Sequence, residues 1–257
     1  MIHPIKSFQA DKLQVRIFND KAEMGDASAD FVSRHLLEAT TKNGFANMIL
    51  ATGTSQFPFL EALKKKHVDW DKITVFHLDE YIGLSDQHPA SFRKYLKERI
   101  LDSVKPRQIH FLNGDAPDIK AELGNYEKLL KSHPVDIACI GIGENGHIAF
   151  NDPAVADFND PLWVKVVQLD EACRKQQLGE GWFPTLDDVP AEALSLTIPA
   201  IMRSKVISCV VPDKRKSTAV YNTLNDEIST ACPASILRKH PDAVLFLDKP
   251  AAIKISW

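Results

Sequence analysis

Short apolar runs alternate with amphipathic segments along the chain, and this pattern predicts strands separated by helices. The apolar runs predict strands at 47–51, 73–78, 109–112, 135–140, 164–169, 206–211 and 243–247. Segments with apolar residues on one helical face predict helices at 26–41, 57–66, 92–101, 119–132, 216–224 and 233–239. The chain contains no internal repeat.

Strands that alternate with helices imply right-handed crossover connections and a mostly parallel sheet covered on both faces. We therefore predict an α/β fold, a Rossmann-like three-layer αβα sandwich. A length of 257 residues with 44% hydrophobic and 25% charged residues is typical of a globular protein with one full core. We expect a single domain over residues 1–257, with a lid-like insertion at about 157–190.

Charge and hydropathy narrow the class of partner. A formal net charge of −3 gives no basic surface of the kind that binds nucleic acid, so we expect no nucleic-acid partner. The sequence shows no apolar run long enough to span a bilayer and no signal-peptide pattern at its start, which favours a cytoplasmic protein without a membrane partner. The four cysteines are far apart and lack metal-binding spacing, which predicts buried, reduced thiols.

The segment GIGENGHIAFNDP at 141–153 follows the predicted strand at 135–140 and carries the strongest signal for a functional site. Gly143 and Gly146 stand where a strand end must turn tightly and where glycine tolerates unusual backbone angles. A histidine side chain suits proton transfer, which makes His147 a candidate for this role, and Asn145 or Asp152 could orient its ring. A buried histidine bonded to the backbone is the alternative reading.

Three further polar clusters follow predicted strands: ATGTSQ at 51–56, Asp79 with Glu80, and residues 213–216. Ligands of open α/β sheets bind beyond the carboxyl ends of the strands, so all four clusters are expected to face one cleft. Each cluster alone is equally typical of a solvated turn.

Asp79 and Glu80 come directly after an apolar strand, where burial raises the pKa of a carboxyl and suits it to proton abstraction. Neighbouring strand residues point to opposite faces, so we expect only one of the two to face the cleft. The other would bond the backbone or a neighbour, and purely structural capping by both is the alternative.

The turn formed by Thr52, Gly53, Thr54 and Ser55 could cradle a phosphate with its backbone N–H groups and hydroxyls at a helix start. It lacks the second glycine and the Lys-Ser/Thr ending of a Walker loop, which disfavours hydrolysis of nucleoside triphosphates. Lys216 could reach an anionic substrate as a point charge. A plain helix cap and a solvated lysine run are the alternative interpretations.

Together the segments LATGTSQ, FHLDEYIGL, GIGENGHIAFNDP, ALSLTIPAIM and CPASILRKHPDAVLFLD resemble the glucosamine-6-phosphate deaminases, in the superfamily that also holds the 6-phosphogluconolactonases. The resemblance spans nearly the whole chain. LDEY and GHIAFN are its most specific elements, because the lactonase branch usually continues differently after the histidine.

The resemblance implies conversion of glucosamine 6-phosphate and water to fructose 6-phosphate and ammonia, without a metal or organic cofactor. By position, Asp79 would move the proton from C2 to C1 through an enolamine, with Glu80 as its structural neighbour. His147 would open the sugar ring, tuned by Asn145 and Asp152. The turn at 52–55 and Lys216 would hold the phosphate.

This chain departs from the commonest family pattern at several positions. Asn145 and Asp152 stand where the family has Asp and Glu, and TGTSQ replaces TGGTP. The family's phosphate-binding arginine falls near Gln177, and Arg174 lies three residues earlier, on the same face if this segment is helical. We therefore expect Arg174 to substitute for it.

Two alternatives of other classes stay open. A 6-phosphogluconolactonase would use His147 as a base and would need no carboxylate for carbon-acid chemistry. A non-catalytic paralogue would only bind a sugar phosphate. The expected partner is a small hexosamine phosphate, while the epimer of the sugar and assembly into a homo-oligomer are left open by the sequence.

Overall fold

An eight-stranded sheet forms the centre of the computed structural model, which describes residues 2–179 and 181–256. In chain order the strands of the described residues are β1 (Lys6–Ala10), β2 (Leu13–Phe18), β3 (Ala46–Leu50), β4 (Ile73–His77), β5 (Asp79–Tyr81), β6 (Gln108–His110), β7 (Ile137–Ile140), β8 (Val164–Gln168), β9 (Glu192–Leu196), β10 (Val206–Val211) and β11 (Ala243–Asp248). The order in the main sheet is β1-β2-β11-β10-β7-β3-β4-β6. Only the β1–β2 pair is antiparallel, and the other neighbours are parallel.

Helices connect the parallel strands. They are α1 (Lys21–Asn43), α2 (Phe57–Leu63), α3 (Phe92–Leu96), α4 (Asp102–Val104), α5 (Ile119–Ser132), α6 (Glu171–Gly179), α7 (Ile198–Met202) and α8 (Ser217–Asn225). A π-helical turn, Lys97–Leu101, joins α3 to α4. The segment Pro233–Lys239, predicted as a helix, forms a 3-10 helix. Among the described residues, no helix combines the length and the apolar character needed to span a membrane.

Two apolar layers cover the two faces of the sheet. In β7, Ile137 and Cys139 pack in a cluster with residues of α1 and α2, whereas Ala138 and Ile140 pack in another with residues of α5 and α8. This division follows from the alternation of side chains along a strand. The arrangement confirms the predicted three-layer αβα sandwich with a mostly parallel sheet.

A second, three-stranded antiparallel sheet with the order β5-β9-β8 lies beside the main sheet. The strand predicted at 164–169 therefore exists as β8, but it does not continue the parallel sheet. Only Leu78 separates β4 from β5, so the chain leaves one sheet and enters the other at this point. Asp79 pairs with Ser195 of β9 and thus sits at the junction of the two sheets.

Helix α1 starts earlier than its apolar pattern predicts. Asp20 caps it, because its carboxylate accepts hydrogen bonds from the N–H groups of Ala22 and Glu23 at 2.8 and 2.9 Å. It ends at Gly44, whose φ of 81° is in the left-handed region. Within α1, Gly25 touches the backbone of α2, where a Cβ at position 25 would lie 2.6 Å from the carbonyl carbon of Pro58.

We expect Gly25→Ala to destabilise the protein by about 1–3 kcal/mol, because the added methyl group would push α1 away from α2. Gly124→Ala in α5 is the matched control. A Cβ there meets no atom within 4 Å. It should stabilise the protein by about 0.5–1 kcal/mol through the helix preference of alanine. Urea unfolding of both variants measures the difference, and equal effects would contradict the close α1–α2 contact.

Candidate active site

A pocket lies at the edge of the sheet where the neighbouring strands β10, β7, β3 and β4 end. The cavity itself has a volume of about 100 Å³, and it opens to solvent. Each of the four strand-end clusters contributes to the lining: Thr52, Gly53 and Ser55 after β3, Asp79 after β4, Gly143 and His147 after β7, and Lys216 after β10. The structure thus brings the four clusters to one cleft.

Asp79 faces this pocket with its carboxyl group almost fully buried, at 7% exposure. Burial is the main cause that raises the pKa of Asp79 to about 8, and the adjacent Glu80 contributes through charge repulsion. Among the described residues, no hydrogen bond to its side chain is found. Its carboxyl is therefore the poorly solvated group of the pocket and is suited to take up a proton.

Glu80 points to the other side of β5 and is completely buried. Its carboxylate accepts hydrogen bonds from the N–H groups of Tyr81, Phe92 and Arg93, from Oγ of Ser91 and from Nε of Arg93, at 2.9 to 3.2 Å. Burial raises the pKa of Glu80 above its usual value, although these donors and the charge of Arg93 act against the shift. Glu80 therefore anchors the start of α3, while Asp79 is left for the pocket.

His147 is held by a carboxylate behind it. Its Nδ1 lies 2.9 Å from Oδ1 of Asp152, and the same oxygen accepts a hydrogen bond of 2.7 Å from Nδ2 of Asn145. The side chain of Asn145 also accepts from the backbone N–H of His147. Although burial opposes it, the bonds from His147 and Asn145 hold the pKa of Asp152 below its usual value.

This contact fixes the imidazole tautomer of neutral His147. Because the Asp152 carboxylate only accepts, Nδ1 carries the proton and donates it, and Nε2 keeps its lone pair. Within the part of the chain that the structure describes, Nε2 has no hydrogen-bond partner. Asn145 and Asp152 themselves do not line the pocket, so they can act only through the histidine.

Two glycines give the loop its shape. The ring of His147 lies against Gly143, where an added Cβ would come within 2.4 Å of three ring atoms. Gly146 has a φ of 87°, and a Cβ there would lie 2.6 Å from Sγ of Cys232. Gly143 thus makes room for the imidazole, whereas Gly146 is outside the pocket and permits the turn.

The turn after β3 presents backbone and hydroxyl groups to the pocket. Gly53 adopts a φ of 95°, and its carbonyl accepts a hydrogen bond of 2.7 Å from the Tyr95 hydroxyl. Lys216 is buried and lines the same pocket from the turn before α8. Thr54, expected with its neighbours in the phosphate cradle, lines an adjacent cavity instead of this pocket.

Three side chains of the segment at 157–190 line the pocket: Gln176, Gln177 and Trp182. The Tyr81 hydroxyl donates to Oε1 of Gln177 at 2.7 Å. Gln176 and Trp182 were not anticipated from the sequence, although a tryptophan between Gly181 and Phe183 in a polar stretch is a usable signal.

Arg174 does not take the expected place in the pocket. Its Nε donates to the carbonyl oxygen of Val189 at 3.0 Å, and its Nη2 donates to that of Leu186 at 2.5 Å. It is absent from the lining, because its guanidinium ties the loop after α6 to the helix. The structure therefore gives Arg174 a supporting position rather than an anion-binding one.

All four cysteines are free and buried. Within residues 2–179 and 181–256, no group of three or more His, Cys, Asp and Glu side chains is placed to hold a metal ion.

Known proteins resemble this chain over most of its length. A family model for glucosamine-6-phosphate isomerases/6-phosphogluconolactonase matches residues 19–246. A glucosamine-6-phosphate deaminase of Exiguobacterium sp. is 38% identical over 209 residues, which are 80% of each chain. A glucosamine-6-phosphate deaminase of Streptococcus agalactiae is 34% identical over 220 residues, 86% of this chain and 92% of its own.

Solved structures show the same relationship. A monomeric glucosamine-6-phosphate deaminase superposes with a TM-score of 0.84 at 32% identity and covers 93% of this chain and 98% of its own. A 6-phosphogluconolactonase from Shewanella baltica superposes with a TM-score of 0.74 at 18% identity and covers 94% of this chain and 100% of its own. At this lower identity the lactonase shows a shared fold alone.

We expect Glu80→Gln to reduce the free energy of unfolding by about 2–4 kcal/mol, because it removes one partner of a buried ion pair. Glu98→Gln is the control, since Glu98 is exposed and pairs with Lys94 on the helix surface. It should change stability by less than about 0.5 kcal/mol. Urea unfolding compares them, and equal small effects would show that Glu80 does not anchor α3.

We expect Asp79→Asn to stabilise the protein increasingly as the pH rises. The folded pKa of about 8 lies above the ordinary value of 3.8, so between them the unfolded chain releases this proton and the folded one retains it. Stability of the parent protein therefore falls through this range. The gain from Asn should grow by about 1–3 kcal/mol between about pH 5 and about pH 7 in urea unfolding. A gain that does not depend on pH would contradict the raised pKa.

Proposed function

The chain belongs to the family of glucosamine-6-phosphate isomerases and 6-phosphogluconolactonases, and we propose that it is the amino-sugar phosphate deaminase of this family. It converts glucosamine 6-phosphate and water to fructose 6-phosphate and ammonia. The observation that carries the proposal is one pocket with a poorly solvated carboxyl at Asp79, an oriented imidazole at His147 and a lysine beside a glycine turn.

Substrate binding begins at the phosphate. The turn at Thr52, Gly53 and Ser55 offers N–H and hydroxyl donors, and Lys216 supplies a positive charge that burial makes more effective than it would be in water. The phosphate is remote from the reacting carbons, so its binding energy serves to position C1 and C2 between Asp79 and His147.

Ring opening is assigned to His147. The Asp152 contact leaves Nε2 of the neutral ring as an acceptor, which takes the proton of the anomeric hydroxyl and returns it to the ring oxygen. This opens the ring and leaves a hydroxyl group on C5 and an aldehyde at C1. Asp152 supplies the negative charge that stabilises the transient imidazolium, so the neutral Asn145 only needs to hold Asp152 and the loop in place.

Isomerisation is assigned to Asp79. Its ionised carboxylate removes the C2 proton of the open-chain aldehyde, and the electron pair forms a C1–C2 double bond while the aldehyde oxygen takes a proton from the ammonium group of the substrate. The resulting enolamine receives a proton at C1 from the Asp79 carboxyl, which leaves an iminium ion at C2 and an ionised Asp79. Water adds to this carbon and ammonia leaves, which completes fructose 6-phosphate. A carboxyl with a pKa near 8 both accepts and returns a proton readily.

Three features of the surroundings complete the proposal. The segment at 157–190 acts as a lid within a single domain, supported by Gln176, Gln177 and Trp182 in the pocket lining. The lining residues named above lie on one copy of the chain, so each copy in a homo-oligomer would carry a pocket of this kind. We assign the protein to the cytoplasm, where sugar phosphates are metabolised.

The direct test incubates the purified protein with glucosamine 6-phosphate and measures ammonium and fructose 6-phosphate in equal amounts. Galactosamine 6-phosphate and 6-phosphogluconolactone run alongside. Asp79→Asn should lower kcat by about 10³-fold or more, since the variant lacks the group that moves the carbon-bound proton. Two results together would contradict this function and favour a lactonase. The parent protein would release no ammonium from the amino sugar, and Asp79→Asn would hydrolyse the lactone at full rate.

The pH dependence gives a separate prediction. Because Asp79 must be ionised in the free enzyme, kcat/KM should rise with pH and level off above the pKa of about 8. Asp152→Asn provides the comparison, since it should lower kcat while leaving the midpoint of this rise close to 8. An acidic limb with its midpoint near the ordinary carboxyl pKa would contradict the role of a desolvated Asp79.

A further inference from the structure

Behind the turn that lines the pocket lies a buried amide, that of Gln56. Its side chain is 1% exposed, and its Nε2 lies 3.1 Å from Oγ of Ser55 and 3.4 Å from the carbonyl oxygen of Val210 in β10. Gly141 at the end of β7 closes the site, because a Cβ there would come within 3.0 Å of the same nitrogen. The amide thus sits between two parallel strands, directly beneath Ser55.

The neighbours of Gln56 determine which way its amide points. A backbone carbonyl can only accept a hydrogen bond, so the atom that faces Val210 must be the nitrogen and not the oxygen. The nitrogen therefore donates, and Ser55 Oγ is an acceptor in its contact with Gln56. The hydroxyl proton of Ser55 must then point away from Gln56.

Ser55 and Lys216 border both the pocket and the adjacent cavity, so this proton can be offered to a ligand beside Lys216. No acceptor for its hydroxyl is found among the described residues, and Ser55 lines the pocket together with Lys216. The hydroxyl is thus a donor that awaits an acceptor from a ligand. An anionic oxygen beside Lys216 is such an acceptor, and hydrogen bonds to charged groups are the stronger ones.

Gln56 keeps this arrangement at a cost to stability. Its Oε1 is buried and has no hydrogen-bond partner in the described part of the chain. A buried polar atom of this kind normally has a partner, and leaving it without one is unfavourable. An apolar side chain of similar length would avoid this cost, which indicates that the amide serves a purpose other than packing.

We propose that Gln56 is a positioning residue that fixes the Ser55 hydroxyl as a donor to the phosphate of the substrate. This inference rests on the proposed function for the identity of the substrate, but it concerns only the binding of the anion. Gln56 acts through Ser55, because without the amide the serine hydroxyl is free to turn toward the carbonyl of Val210 and no longer donates to the ligand.

The test measures the affinity for inorganic phosphate and for fructose 6-phosphate by calorimetry in four proteins: the parent, Gln56→Met, Ser55→Ala and the double variant. Ser55→Ala should weaken binding about 10-fold and Gln56→Met about 5-fold. The double variant should bind as Ser55→Ala does, because Gln56 has no other route to the ligand. Gln56→Glu, whose carboxylate accepts the serine proton, should weaken binding about 100-fold.

Gln9→Met on the exposed strand β1 is the control, and it should bind as the parent does. Thermal unfolding checks that each variant is folded, and Gln56→Leu is the second apolar variant if Gln56→Met does not fold. KM for glucosamine 6-phosphate should rise more than kcat falls. Losses that multiply in the double variant, or unchanged phosphate affinity in Gln56→Met, Gln56→Leu and Gln56→Glu, would overturn the proposal.

The two proposals fail in different ways in this experiment. If phosphate binding depends on the coupled pair Gln56 and Ser55 but no ammonium is released, the positioning role stands and the deaminase function falls. If ammonium is released while phosphate affinity does not depend on Gln56, the function stands and the positioning role falls.

Discussion

The different surroundings of two adjacent carboxyl groups are the constraint on which the rest of the site depends. Asp79 and Glu80 occupy the point where the chain leaves β4 of the main sheet and enters β5 of the small sheet. Side-chain alternation sends Glu80 toward Arg93 and the start of α3, where five hydrogen bonds stabilise it as an anion. Asp79 faces the pocket without such donors, and burial raises its pKa.

The other parts of the pocket are arranged around this carboxyl by the parallel sheet. Four neighbouring strands end at one edge, so the residues that follow them share one cleft although they are far apart in sequence. The glycines adjust the details: Gly143 leaves space for the imidazole, and Gly53 allows the turn that exposes Ser55. Asp79, His147 and the turn at 52–55 are thereby held at the ends of neighbouring strands around one pocket.

Much of this arrangement follows from the sequence, because buried strands and strand-end clusters leave clear local patterns. Strands β3, β4, β7, β10 and β11 lie within a residue or two of their predicted bounds. The β1–β2 hairpin and the strands β5 and β9 were missed, because β1 is partly exposed, β5 has only three residues, and β9 pairs with strands that are distant in sequence. Strand β8 was found, but its sheet was not, because a strand pattern does not specify which neighbours it pairs with.

The candidate site was harder to predict where a side chain has a choice of partners. Helical spacing places Arg174 one turn before Gln177 in α6, yet it cannot show that the guanidinium bonds to Leu186 and Val189 instead of facing the pocket. Gln176 and Trp182 reach the pocket lining through the packing of α6 and the residues after it, and the amide of Gln56 is buried beside Ser55, neither of which the local sequence pattern shows. Such choices are settled by tertiary contacts.

The central claim, a desolvated Asp79 beside an anionic Glu80, is tested most directly by an infrared titration of the protein against Asp79→Asn. The difference spectrum isolates the carboxyl absorption of residue 79. The account predicts a protonated carboxyl at neutral pH that loses its proton with a midpoint near 8. An Asp79 that is already ionised at about pH 5, as an ordinary solvated aspartate is, would contradict the account.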